Sequence, residues 1–320
     1  MFGYEGQSKE WIKATTKQFK SDSCESETNR EQFPMPCGEV LRRRVFYQSS
    51  PHQTKITVSE IFASIRFRQA RRRLTRKARM PRFFCPQPLA LGQIITLPDH
   101  VTHHIQVLRL AVEDRITLFN GAGGQYIATL TTIEKKRATA EIKLFEPQEV
   151  ELPYALTLAQ ALPEASKMDW IIEKAVELGV HAIQPLAAQR CVVRLSAERA
   201  EKKLQHWQGV IAAASEQSGR NRLATLAEPV AFSQWITQND LHRRVLLSPR
   251  AEQSISDWAR HHPPQSLTLM IGPEGGFTDR EEDDAIAHGA LALSMGPRVL
   301  RTETAGLAAL AALNAVWGAM

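Results

Sequence analysis

Short runs of β-branched and aromatic residues dominate residues 80–150. The runs QIITL, RITLF, QYIATLTTI and RATAEIKLF each have the composition of a strand. NGAGG (Asn120–Gly124) is a tight-turn signal between two of them. The segment PDHVTHHIQVLRL predicts a helix with Asp99 at its N-cap. This pattern predicts a small antiparallel β-barrel.

Beyond EVELPY (Glu149–Tyr154), apolar runs alternate with segments of helical spacing. ALTLAQAL and AIQPL read as buried strands, and SKMDWIIEKAVELGV between them reads as a helix that ends at Gly179. A second long helix begins near Ser196 and ends around SEQSGR. Alternating strands and helices predict a parallel sheet with helices on both faces. We therefore expect two domains, residues 80–150 and 151–320.

Three strand-and-loop units lie in the last eighty residues: RVLLSPR, LTLMIGPEGGF and ALALSMGPRVLRTETA. Ligands of open parallel sheets bind outside the carboxyl ends of the strands, so we expect the functional site at these three loops. The helix that follows, GLAALAALNAVWGAM, is rich in small residues. We expect it to pack in the core or against a second subunit.

The glycine loop in IGPEGGFTDREEDD (Ile271–Asp284) is not a phosphate loop. It matches neither G-x-x-x-x-G-K-[ST] nor G-x-G-x-x-G. Thr278 and Glu281 predict a capping box, and the acidic run that follows predicts the start of a helix. A neutral or cationic ligand suits these surroundings better than a polyphosphate.

The net charge of +6 is unevenly distributed. Residues 1–79 hold 17 basic and 8 acidic residues, whereas residues 80–320 hold 23 basic and 26 acidic residues. The basic segment RFRQARRRLTRKAR closes this N-terminal extension. Three interpretations of this extension are open: a basic arm that binds phosphate, a solvated tail, or sequence upstream of a translation start at Met80.

Other features limit the class of protein. The sequence has no apolar run of 18 residues, and its four cysteines are far apart, which together favour a cytoplasmic protein. His100, His103 and His104 lie close together, but no carboxylate or cysteine joins them at ligand spacing. We therefore predict no metal site, and favour an RNA-contacting or polar surface helix.

Several motifs together resemble one family. HHIQVLRL, QALPEASKMDWIIEKAVELGV, AAASEQSGR, IGPEGGF and LSMGPRVLRTETA occur in the order typical of the ribosomal RNA small subunit methyltransferase E family of the SPOUT superfamily. The resemblance implies a PUA-like β-barrel and an α/β domain with a deep trefoil knot that binds S-adenosylmethionine. It also implies a homodimer, with its site at the subunit interface, that methylates N3 of uracil 1498 in 16S ribosomal RNA.

The resemblance also assigns roles to individual residues. It implies that Glu274, Glu303 or Glu216 accepts the N3 proton, and that Arg301 stabilises charge on the uracil or holds a phosphate. Arg82, His103, His104, Arg109 and Arg220 are the expected RNA-binding residues. The expected cofactor-binding residues lie in the three loops: Leu247, Ser248, Ile271, Gly272, Gly275, Gly276, Leu293, Ser294, Met295, Gly296, Val299 and Leu300.

Two other functions are consistent with the sequence. One is a ribose 2′-O methyltransferase of the same superfamily. The other is a non-catalytic RNA-binding or ribosome assembly module, which the predicted barrel and the basic extension favour.

Overall fold

The computed structural model describes residues 80–193, 196–240 and 242–319, so the predicted N-terminal extension lies outside the described residues. A first sheet has five strands in the order β1-β3-β4-β5-β2. Its pairs are antiparallel except β1 with β3, which is parallel, so the expectation of a purely antiparallel unit was wrong at this edge. The strands are β1 (Arg82–Phe84), β2 (Ile94–Thr96), β3 (Arg115–Phe119), β4 (Gln125–Ile133) and β5 (Ala138–Glu146).

Helix α1 (Asp99–Val107) lies between β2 and β3, as the sequence predicts. Its N-cap residue is Pro98, so the prediction of Asp99 at the cap was wrong. Asp99 is the first helical residue, where its carboxylate still interacts favourably with the helix dipole. Val101 and Ile105 on the inner face of α1 join the apolar core of the first sheet.

The second sheet is parallel throughout, with the main strand order β12-β10-β11-β6-β7-β8. This confirms the predicted parallel sheet. Strand β9 pairs with β7 beside the main path. The strands are β6 (Leu156–Ala161), β7 (Ala182–Ala187), β8 (Thr225–Leu226), β9 (Val230–Ala231), β10 (Arg243–Leu247), β11 (Leu267–Ile271) and β12 (Leu291–Leu293).

The helices of this sheet form two packing groups, as expected for helices on both faces. One group joins α2 to α3 and α7, and α7 to α5; the other joins α4 to α6. The predicted glycine ends are present, because Gly179 follows α2 with φ +84° and Gly219 ends α3 with φ +88°. The helices are α2 (Lys167–Glu177), α3 (Ala197–Ser218), α4 (Phe232–Ile236), α5 (Ile255–Arg260), α6 (Asp279–Ala287) and α7 (Thr302–Val316).

Helix α7 packs in the core of the second sheet. Leu307, Leu310 and Leu313 are buried, and a side chain added at Gly306 would lie 3.0 Å from Leu158 of β6. The small residues of this helix therefore allow close contact with the sheet. Strand order and register do not test for the trefoil knot that the resemblance implies, so the knot stays a prediction. None of the helices in the described ranges has the length and apolar character needed to span a membrane.

Candidate functional site

The loops that follow β10, β11 and β12 meet at one edge of the parallel sheet. Strand β10 lies between β11 and β12, so the carboxyl ends of the three strands are adjacent. The space between the loops forms a cleft that is partly open to solvent. Of the residues predicted for the cofactor, those that line this cleft are Leu247, Ser248, Ile271, Gly272, Gly276, Met295, Gly296, Val299 and Leu300.

The backbone of the glycine loop, residues 272–276, folds back on itself at the mouth of β11. A β-carbon at Gly272 would lie 2.8 Å from the backbone nitrogen of Phe277, so only glycine fits there. The Gly276 N–H donates to the carbonyl of Pro273 at 2.8 Å. Gly276 has φ +68° and open space beside its α-carbon, as does Gly296 with φ +93° on the facing loop. A ligand can therefore approach both backbones closely.

Thr302, the first residue of α7, joins the glycine loop to the sheet. Its hydroxyl donates to the carbonyl of Gly272 at 2.6 Å and accepts from the side-chain amide of Gln160 at 2.9 Å. Both side chains are buried. Because this buried hydroxyl bonds the carbonyl at the start of the loop, it fixes where the loop leaves β11.

Part of the acidic run after the glycine loop is hydrogen-bonded or ion-paired. The predicted capping box is present, and the Glu281 carboxylate also accepts from the Gln189 N–H at 2.7 Å. Glu282 accepts from the Ser248 hydroxyl at 3.0 Å and from Arg250 Nε at 3.0 Å. Arg250 also pairs with Asp279 at 3.1 Å. The cleft is therefore less negative than the sequence suggests.

A charged cluster lies beside the cleft. Lys167 Nζ is 2.6 Å from Glu274 Oε1 and 3.8 Å from Glu303 Oε2. The hydrogen bond to Glu274 is the main reason that the pKa of Lys167 is raised. Burial raises the pKa of Glu274, but the hydrogen bonds from Lys167 and from the Glu164 N–H outweigh it, so the net shift is downward. Both residues are therefore charged at neutral pH.

The two carboxylates of this cluster differ in their partners. Glu274 lines the cleft, and its Oε1 accepts from both Lys167 and the Glu164 N–H. Glu303 does not line the cleft, and its buried Oε2 has no hydrogen-bond partner within the described part of the chain. Glu303 thus keeps a buried carboxylate oxygen that accepts no hydrogen bond from the residues that the structure describes, whereas the bonds to Glu274 converge on its Oε1.

Glu216 lies away from the cleft, where α3 contacts the first sheet. Its carboxylate accepts from the Phe84 N–H of β1 at 2.8 Å. Burial raises the pKa of Glu216, opposed by the Phe84 N–H and by nearby His104, His100 and Arg82. This placement is a structural contact between α3 and β1, and it does not support Glu216 as the proton acceptor.

Four other residues predicted for the site do not line the cleft: Gly275, Leu293, Ser294 and Arg301. Gly275 contacts the side chain of Arg190, and Arg301 is exposed at the N-cap position of α7. Leu293 and Ser294 carry the backbone bonds that connect the loops after β10 and β12: Ser248 N–H donates to Leu293 O at 3.0 Å, and Ile255 N–H to Ser294 O at 2.9 Å.

The five predicted RNA-binding residues divide into two groups. His103, His104 and Arg109 are exposed on and just after α1. Arg220 is buried, and its guanidinium donates to Glu151 and to the carbonyls of Val176 and Val180. A direct RNA contact by Arg220 is therefore inconsistent with the structure, because this side chain holds α2 and the chain after α3 together.

Arg82 likewise faces the protein. Its guanidinium donates to the Asn221 side chain at 2.8 Å and to the Arg220 carbonyl at 3.1 Å, and it lies over the Phe119 ring. These contacts connect β1 to the segment after α3. They make Arg82 a structural bridge rather than an exposed phosphate contact.

Several residues of the site belong to no recognisable sequence motif. Lys167 appears in the sequence as one more charge of an amphipathic helix, although its partner Glu274 is 107 residues away. Thr302 was not predicted either, and it lines the cleft with Pro249, Pro273, Phe277, Glu282, Arg298 and Ala305. No group of three or more His, Cys, Asp and Glu that could hold a metal ion occurs among the residues that the structure describes.

Comparison with protein families matches two parts of the chain. Residues 150–314 match the RNA methyltransferase domain, and residues 97–143 match the RNA methyltransferase PUA domain. The second match supports the PUA-like character of the first sheet. The first match includes all seven strands of the parallel sheet and all three loops of the cleft.

Curated relatives and solved structures give the same family. The ribosomal RNA small subunit methyltransferase E of Buchnera aphidicola subsp. Schizaphis graminum is 32% identical over 249 residues, which cover 76% of this chain and 98% of the relative. That of Synechocystis sp. is 35% identical over 69% of this chain and 73% of the relative.

The crystal structure of the Neisseria gonorrhoeae ribosomal RNA small subunit methyltransferase E bound to S-adenosylmethionine has a TM-score of 0.71 and 40% identity, covering 75% of this chain and 98% of that chain. A methyltransferase from Legionella pneumophila with bound S-adenosylmethionine has a TM-score of 0.71 and 36% identity, covering 74% and 98%. From this fold, this cleft and these relatives, we conclude that the chain belongs to the ribosomal RNA small subunit methyltransferase E family.

Proposed function

We propose that this protein transfers the methyl group of S-adenosylmethionine to N3 of one uridine, uracil 1498, in 16S ribosomal RNA of the small ribosomal subunit. The observation that carries this proposal is the three-loop cleft in a chain whose relative binds S-adenosylmethionine. We further propose that residues 80–150 bind RNA and that residues 151–320 perform the transfer.

The residues of the cleft suit an adenosyl ligand. Leu247, Ile271, Met295 and Leu300 supply apolar walls, and the backbones at Gly276 and Gly296 permit close approach. S-adenosylmethionine supplies an electrophilic methyl group on a sulfonium cation. Because Glu282, the carboxylate of the acidic run that lines the cleft, pairs with Arg250, we expect shape and backbone hydrogen bonds to contribute more to cofactor binding than attraction of the cation does.

We propose that Glu303 accepts the N3 proton of the uridine. Uracil N3 carries a proton in the neutral base, so a carboxylate must take it as N3 becomes bonded to the methyl carbon. Glu274 accepts hydrogen bonds from Lys167 and from the Glu164 N–H, and its lowered pKa weakens it as a base. Glu303 retains a buried oxygen without a hydrogen-bond partner among the described residues.

We assign Arg301 and Lys167 to supporting roles. Arg301 is exposed immediately before Thr302, so its guanidinium can reach a uracil oxygen or a flanking phosphate at the edge of the cleft. Lys167 holds Glu274 through a hydrogen bond and lies 3.8 Å from Glu303, so it helps to keep both carboxylates in place. Correct orientation of the uridine supplies a further part of the rate.

The product of the reaction tests the proposed activity. Small subunits from a strain that lacks the modification are incubated with the protein and labelled S-adenosylmethionine, and the digested nucleosides are analysed by mass spectrometry. We expect N3-methyluridine at one position. A ribose 2′-O-methyl product would support the alternative methyltransferase. Tight RNA binding without any methyl transfer would support the assembly module.

The two carboxylates can be distinguished by substitution. We expect Glu303→Gln to lower kcat by about 10²- to 10⁴-fold with little change in cofactor affinity, because the proton acceptor is lost. Glu274→Gln should instead raise KM for S-adenosylmethionine, because the glycine loop loses its bond to Lys167. Glu164→Gln is the control, since only its backbone contacts Glu274. The reverse pattern, with kcat lost in Glu274→Gln alone, would make Glu274 the base.

Substitution should have different effects at Arg109, which is exposed, and at Arg220, which is buried. We expect Arg109→Gln to raise KM for small subunits. It should also lower the slope of the logarithm of RNA affinity against the logarithm of salt concentration by about one, which corresponds to the loss of one phosphate contact. Arg220→Gln should lower the free energy of unfolding by about 3 kcal/mol, because Glu151 loses its partner. Urea denaturation and filter binding measure the two effects. An Arg220→Gln protein of normal stability with weakened RNA binding would restore Arg220 as an RNA contact.

We also propose that the protein is a homodimer with the cleft at the subunit interface. Val299 lines the cleft and is 83% exposed, which is unusual for an apolar side chain beside a site. A second copy of the chain would cover it.

Sedimentation equilibrium tests the dimer. We expect Val299→Asp to shift the protein towards monomer and to reduce methyl transfer, since a buried charge at the interface is unfavourable. Val112→Asp is the control, because Val112 is also exposed but lies near the first sheet. A dimer of unchanged stability in Val299→Asp would place the interface elsewhere.

A further inference from the structure

Arg190 contacts the glycine loop without lining the cleft. It lies in the loop that follows β7, next to Gly275, which is also absent from the cleft wall. Its terminal nitrogen Nη1 donates to the Gly275 carbonyl at 2.8 Å and to the Phe277 carbonyl at 3.1 Å. These two carbonyls bracket Gly276 and Phe277, which both line the cleft. One guanidinium nitrogen thus holds the backbone at both ends of this pair of cleft residues.

The loop that carries Arg190 is itself anchored. The N–H of the preceding residue, Gln189, donates to Glu281 Oε1 at 2.7 Å, and Glu281 belongs to the capping box at the start of α6. The Cys191 N–H donates to the Ala188 carbonyl at 3.1 Å and closes a turn around Arg190. The approach of Arg190 to the glycine loop is therefore set by backbone contacts on both sides of it.

The glycine loop needs such an anchor. Gly275 and Gly276 are adjacent, and Gly276 has φ +68°, a region that most other residues avoid. Two adjacent glycines can adopt many backbone conformations, and ordering them costs free energy when a ligand binds. A charged donor that fixes two carbonyls removes this cost before binding, because the loop is already in its binding conformation.

We propose that Arg190 is a positioning residue for the cofactor: it holds Gly275–Phe277 in the conformation that binds S-adenosylmethionine, and it contacts neither the cofactor nor the uridine. The inference relies on the proposed function only in taking S-adenosylmethionine as the ligand, and it is independent of which RNA atom is methylated. Because Arg190 is exposed near the site, it is also a candidate contact for an RNA phosphate. The following experiment distinguishes this role from the positioning role.

Titration calorimetry of the full-length protein with S-adenosylmethionine, without RNA, tests the proposal. We expect Arg190→Gln to weaken cofactor binding about ten- to a hundredfold, because bonds from a charged donor are lost. Arg190→Lys should recover part of the affinity. In turnover, KM for the cofactor should rise, while kcat and KM for small subunits change little. Arg280→Ala is the matched control, because it removes an exposed arginine of α6 that lies away from the cleft.

A double substitution keeps the test valid if a single variant is unstable. A methyl group at Gly275 would lie 3.3 Å from Arg190 Cδ, so Gly275→Ala should disturb Arg190 and weaken cofactor binding. In an Arg190→Ala background the same change should have little further effect, and the two losses should not add. Additive losses would contradict the proposal.

Unchanged cofactor affinity in Arg190→Gln with weakened binding of small subunits would also overturn the proposal, and would identify Arg190 as an RNA contact. Failure of the proposed function has a different signature. If cofactor binding depends on Arg190 but the product is not N3-methyluridine, the role of Arg190 stands and the assignment of the methylated atom is wrong.

Discussion

The close approach of the Gly272 backbone to Phe277 is the constraint on which the site depends. With no room for a β-carbon at Gly272, the chain turns sharply as it leaves β11, and the loop of residues 272–276 lies across the end of the sheet. Strand β10 ends beside β11, and β12 ends beside β10, so their loops complete the cleft. The parallel strand order brings the three loops together, and the missing side chain at Gly272 shapes the loop that follows β11.

Side chains from other parts of the chain then hold this loop in place. Thr302 bonds the Gly272 carbonyl, Lys167 bonds the Glu274 carboxylate, and Arg190 bonds the carbonyls of Gly275 and Phe277. These anchors come from the start of α7, the start of α2 and the loop after β7. A loop held from three elements presents its backbone to a ligand with little entropy left to lose.

The sequence predicts local features of this architecture well and long-range ones poorly. Helical spacing, the capping box at Thr278 and the glycine that ends α3 depend on residues within a few positions, and all three are present. The three loops were predicted because parallel strands share one functional edge. The roles of Arg220 and Arg190 were not predictable, because their partners Glu151 and Gly275 lie 69 and 85 residues away. The parallel pairing of β1 with β3 was not predicted for the same reason, because paired residues such as Arg82 and Thr117 are far apart in the sequence.

A crystal structure of the protein with S-adenosylmethionine tests whether the three-loop cleft binds this cofactor. We expect the adenosyl group to lie between residues 247–249, 271–277 and 295–300, with the methyl group directed towards the side of the cleft near Glu303. Cofactor density at another place on the chain, with this cleft unchanged and empty, would show that the three loops do not form the cofactor site.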